Sequence, residues 1–323
     1  MTRRFWAKLR VTGVVAAAAV VFALAGCSGQ AYDTEGPYAI AGGGTTGVYY
    51  SYGEQLAAAL HKELGITTHV TETNGSVDNL LAVADGRALL GFAQGDTAAD
   101  AIAGTGAFDT ELPIRALARV YDEYVHIVVP ENSPIRSLAD LAGHRVSLGA
   151  ENSGVQVIAS RVLEAAQVPL ESVVNPQLSL DAAIDATRRG NLDGFFWVGG
   201  LPTPGIQQLA ATMPIRLLPI DDATVAAANH GQAGGVYRTA EFPLGMYGIT
   251  ATTVTMTVPN YLITRADASP ELIHDVTRVL FHARSTIART VPAAEVLDRR
   301  QAIFTGPIEL HEGAAEYYIS TRH

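Results

Sequence analysis

The stretch AIAGGGTTGVYYSYGEQLAAAL, residues 39 to 60, constrains the chain more than any other. Residues 38 to 40 read as the end of a buried strand, and the glycines from Gly42 to Gly47 permit backbone angles that other residues avoid. From Val48 onward, Val48, Tyr52, Leu56, Leu60 and Leu64 recur at helical period. Strand, glycine turn and helix in that order make an α/β unit. The amides at the start of the helix lack intrahelical acceptors and sit at the positive end of its dipole, so an anionic or carbonyl group is their natural partner. Gly42, Gly44 and Gly47 also spell the dinucleotide fingerprint G-x-G-x-x-G, with Glu72 placed to act as the ribose-binding acid. From spacing alone, a nucleotide and a simpler anion both stay open.

The amino terminus narrows the choice. Arg3, Arg4, Lys8 and Arg10 precede an apolar run over residues 14 to 25 that closes in Leu24-Ala25-Gly26-Cys27. The run is shorter than the roughly 20 residues a membrane span needs, and this order is that of a signal peptide ending in a lipobox. Cys27 is the only cysteine in 323 residues. We therefore expect a lipoprotein signal peptide over residues 1–26, lipidation at Cys27, a tether over 27–37, and an extracytoplasmic protein held to the cell membrane by lipid alone. The Arg3-Arg4 pair leaves both the general and the twin-arginine export routes open. Removing the leader's four basic residues leaves 18 Lys+Arg against 32 Asp+Glu, a formal charge of −14. That balance excludes nucleic acid as a partner. The rest of the chain is long enough for two lobes with separate cores and needs no disulfide.

Strand and helix patterns alternate along it. A strand over 66–72 leads to Thr73-Asn74-Gly75-Ser76, where Ser76 is placed to cap a helix over 77–85. A strand over 88–93 leads to Gln94-Gly95-Asp96, with Asp96 as the cap of the next helix. Residues 113–121 and 124–130 read as two strands separated by Asp122-Glu123. A strand at 145–148 then opens a second polar turn, Glu151-Asn152-Ser153-Gly154-Val155-Gln156, ahead of a helix to Ala166. Gly86-Arg87-Ala88-Leu89-Leu90-Gly91-Phe92 and Gly190-Asn191-Leu192-Asp193-Gly194-Phe195-Phe196 repeat one pattern, helix, glycine stop and strand, so two facing half-sites are expected. Residues 252–264 return the chain to the first lobe, and Ser269 caps a helix with Pro270 at its first position. Residues 229–248 give no clear pattern. Such alternation predicts an α/β fold with ligand contacts beyond the carboxyl ends of the strands.

Catalytic and metal signatures are missing from the sequence. None of the nine histidines has ligand spacing, and no His-Glu-x-x-His or Gly-x-Ser-x-Gly pattern occurs. His126 and His311 read as structural. Asp96 and Glu123 could serve as acid and base, with capping the simpler role for Asp96. The chain therefore reads as a binding protein with no cofactor and no metal, and not as an enzyme.

Several motifs together resemble one family: GGGTTGVYY from Gly42, TNGSVDNL from Thr73, FAQGD from Phe92, SLADLAGHRVSLG from Ser137, GNLDGFFWVGGLP from Gly190 and GPIELHEGAAEYY from Gly306. The chain resembles, over residues 40 to 319, a solute receptor of the TAXI branch of TRAP transporters. The resemblance implies a two-lobed type II periplasmic-binding-protein fold with a hinge and an interlobe cleft, with lobe one over 38–125 and 255–323 and lobe two over 126–254. It implies a monomer that binds a small carboxylate or amino-acid solute, glutamate or glutamine among them, and delivers it to a TRAP membrane permease subunit. The ligand-binding residues it points to are Gly43, Gly44, Thr45, Tyr49, Ser76, Gln94, Ser153, Gly154, Val155, Gln156, Trp197 and Gly199, with the Trp197 N–H free to donate. This chain departs from the family pattern at Thr46 and Asn152, where glycine is usual, and at Val155, where threonine is usual. Two rival readings are an orphan sensor reporting to a two-component kinase and an exported nucleotide-dependent enzyme.

The leader makes one prediction: Cys27→Ala leaves the precursor uncleaved or releases unlipidated protein. A variant that still matures and partitions into detergent like its parent would remove Cys27 as the anchor.

Overall fold

The computed structural model of the chain describes residue 32, residues 38 to 230 and residues 235 to 321. The expected leader and Cys27 lie outside the described residues, as does the tether apart from Tyr32. The opening unit folds as its pattern requires. β1 (Tyr38–Ala41) runs through the glycine turn into α1 (Val48–Leu64), which buries Val48, Tyr52, Leu56 and Leu60 and stops at Gly65 in the left-handed region, φ 70°. β2 (Thr68–Thr71), α2 (Ser76–Ala84), β3 (Leu90–Gln94) and α3 (Gly95–Ala103) continue the alternation. β1 pairs in parallel with β2 on one side and β3 on the other.

The two strands expected around Asp122-Glu123 are one, β4 (Ile114–Pro130). Register irregularities at Ala116/Ala118 and Arg119/Tyr121 let it bend without breaking, and Glu123 lies in mid-strand. Next come β5 (Val146–Ser147), α4 (Gly154–Ala165), α5 (Leu180–Arg188), β6 (Gly194–Gly199), α6 (Pro204–Thr212), β7 (Ile215–Leu217) and α7 (Asp222–Asn229). The stretch without a clear pattern contains β8 (Arg238–Glu241). β9 (Val254–Arg265) then pairs antiparallel with β3, with β4 and with β8. Among the described residues the sheet has nine strands, ordered β2-β1-β3-β9-β4-β6-β5, with β7 on β4 and β8 on β9.

Apolar side chains gather in distinct cores along this sheet. At the β1 end, Val77, Leu80, Val83, Ile114, Tyr261, Ile263 and Ile308 pack together. At the β6 end the strand alternates: Phe195 packs with Leu180, Ile184, Ile206 and Leu209 on one face. Phe196 and Val198 join Ile127, Ile158, Val162 and Met256 on the other. α8 (Pro270–His282) has the expected Ser269 cap, whose hydroxyl accepts from Leu272 N. The helix ends at Ala283, and a separate helical turn, Arg284–Ala288, carries the buried Ile287.

Asp96 does not cap α3. The residue preceding that helix, Gln94, makes no side-chain cap bond, and Asp96 is drawn instead to Arg161 of α4. Arg161 donates to Asp96 Oδ2 at 2.7 Å and to Asp100 Oδ2 at 2.5 Å, and Tyr237 donates to Asp96 at 2.6 Å. The side chains are nearly dry, at 11 % exposure for Arg161 and 1 % for Asp96. Removing one partner of a buried ion pair strands the other charge and costs about 3–5 kcal/mol. We therefore expect Arg161→Met to lose about that much in urea unfolding; a loss under about 1 kcal/mol would show that the cluster does not hold the fold.

Candidate functional site

Four helices point their amino termini at one cavity of about 420 Å³: α1 at Gly47 to Tyr49, α2 at Gly75 and Ser76, α4 at Ser153 to Val155, and α5 at Ser179 to Asp181. Each start is shaped locally. Ser153 accepts from Gln156 N at 3.1 Å and Ser179 from Ala182 N at 3.4 Å, so α4 and α5 carry side-chain caps. α1 and α2 begin at Gly47 and Gly75 with no side-chain cap. Gly75 sits at φ 126°, which an L side chain rarely adopts. A Cβ on Gly154 would overlap the Gln94 carboxamide oxygen and lie 2.7 Å from Ser76 Oγ. Only glycine there lets α4 close onto Gln94 and Ser76.

Of the residues expected at the site, Gly43, Gly44, Tyr49, Ser76, Gln94, Ser153, Gly154, Val155, Trp197 and Gly199 line this cavity. Thr45 and Gln156 do not. Thr45 is exposed at the apex of the glycine turn, and Gln156 contributes its backbone N–H to the Ser153 cap. Ser76 is not the cap it was expected to be; as the first residue of α2 it turns its hydroxyl inward, where Gln94 N donates to it at 3.2 Å. Tyr49 stacks on Phe92 with ring centroids 5.3 Å apart, and its hydroxyl lies 3.4 Å from Ser76 Oγ. Trp197 turns its ring toward Gly47, but its N–H already donates to Thr203 Oγ1 at 3.1 Å.

Glu123 is the residue that sequence reasoning misplaced. It is 1 % exposed and lines the cavity. Its partners are neutral: Gln94 Nε2 donates to Oε2 at 2.8 Å, Tyr49 OH to Oε2 at 3.2 Å and Tyr121 OH to Oε1 at 3.4 Å. Burial pushes this carboxyl up to about 8, against those hydrogen bonds, which favour the carboxylate. Asn260 donates to the Tyr49 hydroxyl from β9, and its own Oδ1, like Gln94 Oε1, is buried without a partner. Ser179 to Asp181 were missed too. The internal repeat could have found them, since α5 occupies the place in its half that α2 occupies in the other. His126 is a core residue, bonded to Tyr124 O and Tyr247 OH and pushed down to about 4 by burial. His311 caps the last helix by accepting from Gly313 N. No group of metal-ligating side chains is found among the described residues.

A family model described as the NMT1-like family matches residues 40–319. A solved structure from Bordetella bronchiseptica RB50 is similar at 17 % identity and a TM-score of 0.54, covering 88 % of this chain and 82 % of that one. A Listeria monocytogenes protein named for L-cystine ABC transport is similar at 13 % identity and a TM-score of 0.50, covering 80 % of this chain and 97 % of that one. The chain shares with these structures a mixed α/β fold built on one large sheet. No helix among the described residues is long and apolar enough to cross a membrane.

Glu123 makes the site sensitive to pH. The folded state holds the Glu123 proton up to about 8, whereas the unfolded chain loses it near 4.5, so this group's contribution to stability falls as pH rises between those values. His126 acts oppositely and only below 6.5, where the unfolded chain takes up a proton that the fold refuses. From pH 6.5 to 8 we therefore expect Glu123 to lower the unfolding free energy, by on the order of 2 kcal/mol. Glu123→Gln should flatten that decline; an unchanged slope in the variant would clear Glu123 of the effect.

Proposed function

The chain belongs to the NMT1-like family, and from that premise we propose that it is an extracytoplasmic solute receptor, anchored by lipid at Cys27, which passes a small organic acid or amino acid to a TRAP-type membrane permease. The observation that carries the reading is the cavity itself. Two half-sites, each a strand–turn–helix repeat, close on one space lined by helix starts, and Thr46 bonds across it. Thr46 Oγ1 donates to Asp181 Oδ1 at 2.5 Å, and Gly205 N donates to Thr46 O at 3.4 Å. In this reading the lobes join through β4 near Glu123 and through β9 near Pro259 and Asn260, which pair across the sheet. Bending there opens the cleft without breaking either core.

The same geometry supports binding over catalysis. The hydrogen-bond partners of Glu123 are an amide and two phenols. Gly42, the first glycine of the apparent nucleotide fingerprint, is explained by packing, because a Cβ there would overlap Val70 Cγ1. Saturable NAD binding would nonetheless overturn the receptor reading.

Trp197 supplies the test. Trp6 lies in the leader, so Trp197 is the only indole of the mature protein. It is half-buried on the cavity wall. Solute at roughly 100 times its dissociation constant should add about 2.7 kcal/mol of stability, and tryptophan emission should change saturably in step with the melting temperature. A stabilising solute that leaves emission unchanged, and binds Trp197→Phe equally well, removes Trp197 from the site. A broad panel of carboxylates and amino acids without any thermal shift removes the receptor reading.

A further inference from the structure

The cavity is one-sided in charge. Its lining holds the carboxyl groups of Glu72, Asp78, Glu123 and Asp181 and, among the described residues, no lysine, arginine or histidine. Three of these carboxyls have local explanations. Glu72 is exposed, Asp78 accepts from Asn74 N at 3.1 Å, and Asp181 accepts from Thr46. Glu123 differs from them in being buried. It is dry, faces the cavity and touches only neutral donors. Elsewhere this chain does not leave buried acids so: Asp96 and Asp100 share the guanidinium of Arg161. A buried carboxylate without a cation is poorly compensated for lost hydration. Gln94 Oε1 and Asn260 Oδ1, both buried and unpartnered beside it, add acceptors that lack donors.

Positive potential in the cavity comes instead from helix starts, each worth about half an elementary charge. α1 and α2, with no side-chain cap, are the two free to receive an acceptor group of a solute. One anionic group can be met this way. A second would lie near the Glu123 carboxyl and Asp181, with no lysine, arginine or histidine in the lining to meet it.

We propose that the cavity selects solutes that carry a protonated nitrogen, seated against Glu123, with at most one anionic group seated on the starts of α1 and α2, and that it refuses solutes of net negative charge. The proposal rests on the receptor reading above and makes Glu123 the residue that sets specificity. The expected solute is thus a neutral zwitterion or a small cation, and glutamate and dicarboxylates are poor ligands.

Calorimetric titration of the purified protein with two matched pairs tests this: glutamine against glutamate, and 4-aminobutyrate against succinate, with putrescine as the cation. The amine-bearing member of net charge zero should bind at least tenfold more tightly than its anionic partner in any pair that binds. Glu123→Gln should weaken the amine-bearing solute at least tenfold. If that variant fails to fold, the matched pairs on the unaltered protein decide alone. Glutamate or succinate binding as tightly as its partner overturns the proposal, as does a tight solute from a wider panel that lacks a protonated nitrogen; in both cases the receptor reading survives. Absence of binding by every solute sinks the receptor reading, and the proposal with it.

Discussion

The pairing of β4 with β9 is the constraint on which the remaining structure depends. Its register runs from Ile114 opposite Arg265 to Tyr124 opposite Thr257. β4 goes on past that overlap to pair with β6 and β7, and β9 pairs along its other edge with β3 and then with β8. The hydrogen bonds of both ends of the sheet therefore pass through two strands. A slip of one residue would turn each side chain to the opposite face. Glu123 would leave the cavity, and Asn260, opposite both Tyr121 and Gln94, would lose its hold on Tyr49.

The protein buries acids in two ways, and the difference is physical. Asp96 and Asp100 are compensated within the chain, by a guanidinium whose fork reaches both carboxylates, with Tyr237 filling in. That arrangement is complete and structural. Glu123 receives three neutral hydrogen bonds and no charge, so its ionised form is held at a cost that burial sets and hydrogen bonding only reduces. One cluster consolidates α3 against α4, and the other leaves an electrostatic demand at the cavity.

The departures from the family pattern find local explanations. Asn152 has φ 58°, a left-handed conformation in which asparagine is the usual substitute for glycine. Thr46 uses its added hydroxyl to reach Asp181 across the cavity mouth. Val155 lies at the start of α4 and contributes an apolar wall where a hydroxyl would have been a donor. Two of the three changes thus adjust how the turns are held, and the third changes what the cavity can offer.

What the sequence by itself determined is local: the alternation of strands and helices, the helix start at Val48, the polar turn that opens the helix to Ala166, the cap at Ser269, and the repeat of helix, glycine stop and strand, with Gly86 at φ 74° and Gly190 at φ 71°. These follow from periodicity and turn chemistry, which neighbouring residues settle among themselves. Ten of the twelve expected ligand-binding positions line the cavity because they lie at strand ends, where an α/β sheet places its polar turns. Thr45 and Gln156 do not line the cavity, Thr45 because it stands exposed at the apex of its turn and Gln156 because it follows the start of α4. Only the tertiary structure decided that Asp122-Glu123 continues a strand, that Asp96 pairs with Arg161 and that Glu123 lies dry against Tyr49, Gln94 and Tyr121. A charged dipeptide reads as a loop when its own chemistry is all there is to judge by. Whether its carboxyl is wet or buried depends on β9, α1 and β3 packed around it, and those come from parts of the chain far removed in sequence.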